Sequence, residues 1–377
     1  MISASQYSFS PLLYLIAIIL YNPQLAYCNC NNPPVIFNFG DSNSDTGGLV
    51  AGLGFPVKFP NGRAFFGRSA GRLSDGRLII DFLCQSLNTS FLRPYLDSLG
   101  SNFDSLGSNF SNGANFAIVG SATLPRYVPF ALNIQVMQFK HFKERSTELA
   151  GATGIARLVG PLSPDRFQDA LYMIDIGQND IADSFAKGLS YVQVVKRIPS
   201  ILAEIENAVK EIYDEGGRKI WVHNTGPLGC LPQKLSLVHN NGLQGLDSYG
   251  CMKGYNDAAK LFNEGLRHAC EGLRTEMKDA TIVYVDVYAI KLDLIANSTN
   301  YGFSTPLMAC CGSGGPPYNY DRKVSCGSPG YQVCDQAAKF VSWDGVHYTD
   351  AANGLIASKI LSAEYATPRV TFDFFCQ

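Results

Sequence analysis

A serine placed directly after a buried strand is the first residue whose position could do chemistry. Residues 35–39 form a short apolar run that predicts a strand, and Gly40, Asp41, Ser42 and Asn43 follow it at once. In α/β proteins, ligands bind beyond the carboxyl ends of the strands, so the hydroxyl of Ser42 could project into such a crevice. A polar turn without a catalytic role is the alternative for this motif taken alone.

A nucleophilic serine needs a base, and the chain has five histidines. His347 differs from the others because Asp344 lies three residues before it, where a carboxylate can fix the imidazole tautomer and stabilise the imidazolium. His223 ends a predicted strand and could line the crevice, but no acid lies close to it in the sequence. The remaining histidines are more simply structural: His141, His239 and His268.

Acyl transfer also requires hydrogen-bond donors for the developing oxyanion. Asn179 follows a second predicted strand, residues 170–176, and brings an amide side chain to the same edge. Gly120 ends the segment that starts at Asn115 and offers a backbone N–H. Either segment could equally be a turn, so the signal lies in their joint occurrence, in this chain order, with the serine and the histidine.

Two rival motifs fail on their context. The Gly67–Gly71 segment matches G-x-S-x-G, but loop-like residues precede Ser69 where that nucleophile elbow needs a strand. The turn that holds Ser42 partly mimics a calcium loop, but its sixth position is Thr46 and its twelfth is Gly52. No Cys/His spacing suits zinc and no glycine loop suits phosphate, so the sequence predicts no metal and no cofactor.

The elements that must position these residues alternate between strands and helices. Further strands are predicted over 219–223 and 281–287, and helices over 191–213, 255–277 and 349–365. Pro199 interrupts the first helix, as a kink or as its true start, and Thr349 is the predicted N-cap of the last. Such alternation indicates a parallel α/β sandwich.

The first 28 residues predict a secretory signal peptide. Residues 12–21 are an apolar run of ten, too short to span a bilayer, and small residues lead to Cys28. Cleavage there leaves residues 29–377, which we expect to form a single domain. The 11 cysteines of the chain then become ten, an even number suited to an oxidising, extracellular compartment such as the apoplast or cell wall. Their pairing is left open.

Other features bound the partners of the chain. The 30 basic and 32 acidic residues give a net charge of −2, which excludes a nucleic-acid footprint. No second apolar run is long enough to anchor the chain in a membrane, and we expect a monomer. A heptapeptide occurs twice in tandem over residues 97–110 and predicts a surface loop. Glycosylation sequons begin at Asn88, Asn109 and Asn297.

Four blocks of this chain, FNFGDSNSDTGG, GANFAIVGSAT, IDIGQND and SWDGVHYTDAAN, occur in an order that resembles plant GDSL esterase/lipases of the SGNH hydrolase superfamily. The last block and the Cys310-Cys311-Gly312 segment resemble the early-nodulin-like subgroup. The resemblance runs from about Val35 to Cys376. It implies a three-layer α/β/α sandwich with a central, mostly parallel, flavodoxin-like sheet.

The resemblance also implies roles for individual residues. Ser42 would be the nucleophile, His347 the general base and Asp344 its orienting acid. The oxyanion donors would be the backbone N–H groups of Ser42 and Gly120 and the side-chain amide of Asn179. The implied function is hydrolysis of an ester, whose alcohol or acyl part could belong to a lipid, an acetylated polysaccharide or an acetylated glycoside. An acyltransferase with the same triad and a catalytically silent binding protein stay as alternatives.

Overall fold

Short apolar runs of the chain form the strands of a central sheet in the computed structural model, which describes residues 30, 32–100, 110–125, 129–151, 162–237 and 245–376. The described strands are β1 Ile36–Gly40, β2 Gly113–Asn115, β3 Leu171–Asp175, β4 Lys219–His223, β5 Thr281–Val285, β6 Cys311–Gly312, β7 Gln332–Val333 and β8 Ala366–Thr367. The central sheet has the order β2-β1-β3-β4-β5-β8, and β6 and β7 form a separate antiparallel ribbon.

The neighbouring strands of the central sheet are parallel except at one edge. Strand β1 pairs in parallel with β2 and β3, and β3, β4 and β5 continue in the same direction. Only β8, which pairs with β5, is antiparallel. The predicted mostly parallel sheet is therefore confirmed, with the strand order 2-1-3-4-5 of the flavodoxin-like doubly wound class.

Helices cover both faces of this sheet. Their bounds are α1 Gly48–Leu53, α2 Ile79–Ser86, α3 Leu132–Gly151, α4 Pro164–Gln168, α5 Gln178–Ala186, α6 Tyr191–Asp214, α7 Pro232–Leu235, α8 Lys253–Glu276, α9 Val287–Ala296 and α10 Asp350–Leu361. Short 3₁₀ turns occupy Tyr95–Gly100, Leu228–Cys230, Ser298–Tyr301 and Phe372–Cys376.

Alternating side chains of each strand create two cores. In β1, Phe37 and Phe39 pack on one face with residues of α3, α6 and α8. Ile36 points to the other face, where α2, α9 and α10 pack. These two cores are the interiors between the helical layers and the sheet, so the predicted three-layer α/β/α sandwich is confirmed.

Local boundaries correct several predictions. The predicted strand 281–287 ends at Val285, because the side chain of Asp286 accepts a hydrogen bond from the backbone N–H of Ala289 and caps α9. Helix α6 begins at Tyr191 and contains Pro199 in its interior, so the proline does not mark its start. Thr349 is the N-cap of α10, as predicted, although that helix already ends at Leu361.

Four disulfides join described segments: Cys30–Cys376, Cys230–Cys251, Cys310–Cys334 and Cys311–Cys326. Cys84 and Cys270 are buried free thiols. Burial raises the pKa of Cys270 to about 12, so this thiol stays protonated and unreactive. Eight of the ten cysteines beyond residue 28 are therefore paired, and the even number does not mean complete pairing.

Two of the three glycosylation sequons and part of the tandem repeat lie within the described residues. The side chains of Asn88 and Asn297 are exposed, whereas Asn109 and most of the tandem repeat lie outside the described residues. The first repeat copy begins in the 3₁₀ turn Tyr95–Gly100. Within the described part of the chain, no helix is both long and apolar enough to cross a membrane.

Candidate active site

Ser42 lies in the turn that follows β1, at the point where the strand order of the sheet reverses. Strand β1 is flanked by β2 on one side and β3 on the other, and the chain leaves β1 and β3 in different directions across the sheet. Such a switch point is where doubly wound folds place their ligand crevice. Ser42 is buried there, and the backbone N–H of Asp41 donates to the carbonyl of Asp175 at 3.3 Å.

Asp41 fixes the shape of this turn. Its Oδ1 accepts hydrogen bonds from the backbone N–H of Asn43 at 2.9 Å and from the side-chain amide of Asn43 at 3.0 Å. Burial, followed by the charge of Asp175, raises the pKa of Asp41 to about 7, although these hydrogen bonds and the charge of His347 lower it. The two hydrogen bonds between Asn43 and Asp41 order the backbone on both sides of Ser42.

Asp45 and Asn115 connect the nucleophile turn to the segment that contains Gly120. The carboxylate of Asp45 accepts hydrogen bonds from the backbone N–H groups of Gly47, just before α1, and Gly48, its first residue, and, at 2.8 Å, from that of Val119. The amide of Asn115 donates to the carbonyl of Ser44 at 2.6 Å. These contacts hold the backbone next to Gly120 against the turn.

Asn179 lies in the first turn of α5, directly beyond β3. Its side-chain nitrogen donates to the carbonyl of Ser121 at 2.8 Å and to Oδ2 of Asp41 at 3.3 Å. Gly120, which has φ = +80° in the left-handed region that favours glycine, lies between Ser121 and the segment held by Asp45. The structure thus brings three of the sequence-predicted segments, those of Ser42, Gly120 and Asn179, to one edge of the sheet.

His347 and Asp344 face each other in a tight loop before α10. Oδ2 of Asp344 lies 2.6 Å from Nδ1 of His347, and Oδ1 accepts the backbone N–H groups of Val346 and His347 at 3.0 and 2.8 Å. Nε2 of His347 is buried and has no hydrogen-bond partner among the described residues. The imidazole is therefore held through Nδ1, with its other nitrogen available.

Asp344 and His347 each shift the pKa of the other. Burial would raise the pKa of Asp344, but the charge and hydrogen bonds of His347 and the two backbone N–H groups lower it overall. Burial would lower the pKa of His347, but the charge and hydrogen bond of Asp344 and the charge of Asp41 raise it overall, against the opposing charge of Lys291. Asp41, whose charge acts on His347, belongs to the turn that contains Ser42.

A disulfide-bonded core supports the loop that carries these two residues. Trp343, immediately before Asp344, is fully buried and packs with Cys310 and Cys311. The backbone N–H of Cys311 donates to the carbonyl of Trp343 at 2.6 Å, and the backbone N–H of Trp343 donates to the carbonyl of His347 at 2.7 Å. The loop conformation is thus tied to the Cys310–Cys334 and Cys311–Cys326 disulfides.

A cleft of about 740 Å³ opens beside the site, and Asn179 and Val346 both line it. This volume is in the range of small-molecule sites. The lining combines side chains of both charges with leucines: Asp183, Lys234, Asp321, Arg322, Leu228 and Leu231.

The rival residues that the structure describes have other surroundings. Ser69 lies in an irregular loop, where its hydroxyl donates to the carbonyl of Val57. His141 and His268 have exposed side chains on helices, and His239 lies outside the described residues. Among the described histidines, only His347 is paired with the acid that the sequence predicts.

His223, which has no acid close to it in the sequence, has one close to it in space. Asp175 ends β3 in register with His223 at the end of β4, and its Oδ2 lies 3.6 Å from Nδ1 of that histidine. The sequence did not reveal this pair because 48 residues separate its members. Nε2 of His223 accepts a hydrogen bond from Nε1 of Trp221 at 3.0 Å, which turns this imidazole toward the carboxylate.

The chain is similar to known proteins over nearly its whole length. The family described as GDSL-like Lipase/Acylhydrolase matches residues 36–360. A GDSL esterase/lipase of Arabidopsis thaliana is 64% identical over 100% of both chains, and GDSL esterase/lipase LIP-4 of the same plant is 61% identical over 98% of this chain and 96% of its own. Alpha-L-fucosidase 3 of Arabidopsis thaliana is 43% identical over 87% of this chain and 90% of its own. The early-nodulin-like subgroup stays a prediction.

Proposed function

The chain belongs to the GDSL-like lipase/acylhydrolase family, and from that membership we propose that it is a secreted serine esterase that cleaves O-acyl esters through an acyl-enzyme on Ser42. It is a hydrolase that acts on ester bonds, in accordance with its family and with relatives named GDSL esterase/lipases. The observation that carries the proposed mechanism is the 2.6 Å contact between Asp344 and His347, with Nε2 buried and without a partner among the described residues.

In the first half-reaction, Oγ of Ser42 attacks the ester carbonyl while Nε2 of His347 takes its proton. Asp344 holds the imidazole through Nδ1 and stabilises the imidazolium that forms. The imidazolium then gives the proton to the alkoxide oxygen as the carbon–oxygen bond of the ester breaks. The alcohol leaves and the acyl group stays on Ser42.

In the second half-reaction, water replaces the alcohol. Nε2 of His347 takes a proton from the water as its oxygen attacks the acyl carbon, and the imidazolium returns that proton to Oγ of Ser42 as the acid leaves. In both steps, the oxyanion would accept hydrogen bonds from the backbone N–H groups of Ser42 and Gly120 and from the amide of Asn179. Such donors act most strongly when the folded protein has already fixed them in place. The contacts of Asp45 and Asn115 support this arrangement.

The test of this proposal is a pair of serine variants in one turn. We expect Ser42→Ala to abolish hydrolysis of p-nitrophenyl acetate and labelling by a fluorophosphonate probe. Ser44→Ala is the matched control, because Oγ of Ser44 is buried and has no hydrogen-bond partner among the described residues. Full activity of Ser42→Ala, or a probe adduct on another residue, would rule out an acyl-enzyme on Ser42. Absence of any adduct on the unaltered protein would favour a silent binding protein.

Secretion is part of the same proposal. Residues 1–28 would be removed as a signal peptide, and residues 29–377 would form one extracellular domain. The four disulfides support an oxidising compartment, since such bonds rarely persist in the cytosol. The exposed side chains of Asn88 and Asn297 are sterically open to glycosylation.

For the substrate, we propose a small ester whose alcohol part is polar. The charged side chains along the cleft would find hydrogen-bonding partners in a hydroxylated alcohol and none in a long acyl chain. One relative is named a fucosidase, which adds glycoside cleavage as an outcome to be tested. Parallel assays with acetylated glycosides, long-chain p-nitrophenyl esters and p-nitrophenyl fucoside distinguish the three.

A further inference from the structure

Lys291 is a buried cation behind the candidate active site. It lies in α9, and only 3% of its surface is exposed. A buried ammonium is costly unless anions or aromatic faces compensate for lost water. The chain makes room for this side chain at Gly226, where a Cβ atom would lie 2.8 Å from Cδ of Lys291. Glycine at that position therefore allows the lysine to reach inward.

The ammonium ends beside the loop that carries the proposed base. Nζ of Lys291 lies 4.4 Å from the centre of the Tyr348 ring, and Tyr348 directly follows His347. A cation over an aromatic face is stabilised by the ring quadrupole. This contact places the positive charge of Lys291 next to the His347 loop, where it opposes the negative charges of the site's carboxylates.

Charged groups from several elements surround this ammonium. The carboxylates of Asp175, at the end of β3, and Asp41, in the Ser42 turn, act on it electrostatically. Burial lowers the pKa of Lys291, and these two carboxylates oppose that shift only in part. His223, at the end of β4, lies 3.6 Å from Asp175. The phenol of Tyr348 is a further titratable group beside the ammonium, and the charge of Asp175 acts on this phenol as well.

We propose that Lys291 is a positioning residue of this esterase site, whose buried cation partly offsets the nearby carboxylates and so favours the neutral form of His347 that can accept the proton of Ser42. The inference rests on the proposed function of Ser42 and His347. Two carboxylates, Asp344 and Asp41, favour the imidazolium form of His347, and the charge of Lys291 opposes them. A general base acts only in its neutral form, so this opposition extends activity to lower pH.

The test compares the pH dependence of kcat/KM in three proteins. In Lys291→Met, which is one atom shorter, stays unbranched and removes the charge, we expect the acidic limb to move to higher pH by roughly half a unit to one unit. At a pH below that limb, this shift appears as about a three- to tenfold loss of kcat/KM, with little change on the plateau. Lys196→Met is the matched control, because it removes the same charge from an exposed position on α6.

Lys291→Arg separates charge from packing. We expect this variant to keep the acidic limb of the unaltered protein, because the guanidinium stays charged at every relevant pH. An unmoved limb in Lys291→Met, or an equal shift in Lys291→Arg, would overturn the inference. If Lys291→Met does not fold, as judged by its thermal unfolding, Lys291→Gln replaces it with the same expected shift.

The failure of this inference and the failure of the proposed function give different results. Loss of activity in Ser42→Ala together with an unmoved limb in Lys291→Met would reject only the role of Lys291. Activity that persists in Ser42→Ala would reject the mechanism itself.

Discussion

Asp344 binds both the ring and the backbone of the same histidine. One oxygen of its carboxylate lies 2.6 Å from Nδ1 of His347, and the other accepts the backbone N–H of His347 at 2.8 Å. The acid thus fixes the path of the loop as well as the direction of the imidazole. Because the two residues are only three positions apart, a short turn is enough to form the pair.

The first prediction concerns Asp344→Asn. The amide can still accept the backbone N–H groups, but its NH₂ group cannot stabilise an imidazolium and favours the wrong tautomer. We expect kcat for p-nitrophenyl acetate to fall by about 1,000- to 10,000-fold, with a small change in thermal stability. Asp214→Asn, at the exposed end of α6, is the control and should retain full activity. A loss below tenfold in Asp344→Asn would contradict its role as the orienting acid.

The second prediction is the pH profile of the unaltered enzyme. His347 must be neutral to accept a proton, and its pKa is raised above the ordinary 6.5 because the charge and hydrogen bond of Asp344 outweigh burial. We therefore expect kcat/KM to increase with pH and to reach half its maximum above pH 6.5. Initial rates across a pH series test this expectation, and a half-maximum below pH 6 would contradict it.

The third prediction concerns Asn179→Ala, which removes one proposed oxyanion donor. We expect kcat to fall by about 100- to 1,000-fold while KM changes little, because the lost hydrogen bond strengthens only in the transition state. Asn300→Ala, at an exposed position after α9, is the comparison variant. If KM increases and kcat is unchanged, the amide of Asn179 binds the ground state instead.

The fourth prediction concerns the disulfide core beneath the catalytic loop. Replacing Cys311 and Cys326 together by serine should lower the free energy of unfolding by about 3 kcal/mol, the entropic effect of a loop of this size. It should also lower kcat, because the backbone of Cys311 holds that of Trp343. Denaturant unfolding and steady-state kinetics measure the two effects. Replacing Cys30 and Cys376 is the control, in which we expect lost stability and unchanged kcat.

The sequence predicts the parts of the fold whose signals are local. Strands β1, β3 and β4 were recognisable because each is a short, mostly apolar run in a covered parallel sheet. Strand β2 was missed because its three residues, Gly113–Asn115, include no apolar run, and β8 because it has only two residues. The early end of the strand at Val285 depends on a single cap, Asp286.

In the candidate site, too, the sequence predicts what depends on local spacing and misses what depends on packing. Asp344 and His347 were predictable because three residues separate them and both match one block. Asp45 also lies within a recognised block, but its role becomes visible only when Val119 is brought to its carboxylate. The pairing of Asp175 with His223 depends on strand register, and the location of Lys291 depends on the packing of α9. Periodicity and motif spacing do not contain that information.

The Cys30–Cys376 disulfide has a consequence for the behaviour of a cut chain. Its cysteines are 346 residues apart, so the disulfide closes a covalent ring that contains almost the whole chain. A protease that cuts one peptide bond within this ring opens it but releases no fragment. On a denaturing gel without reductant, the nicked protein should therefore keep the mass of the intact chain, and only reduction should separate its pieces.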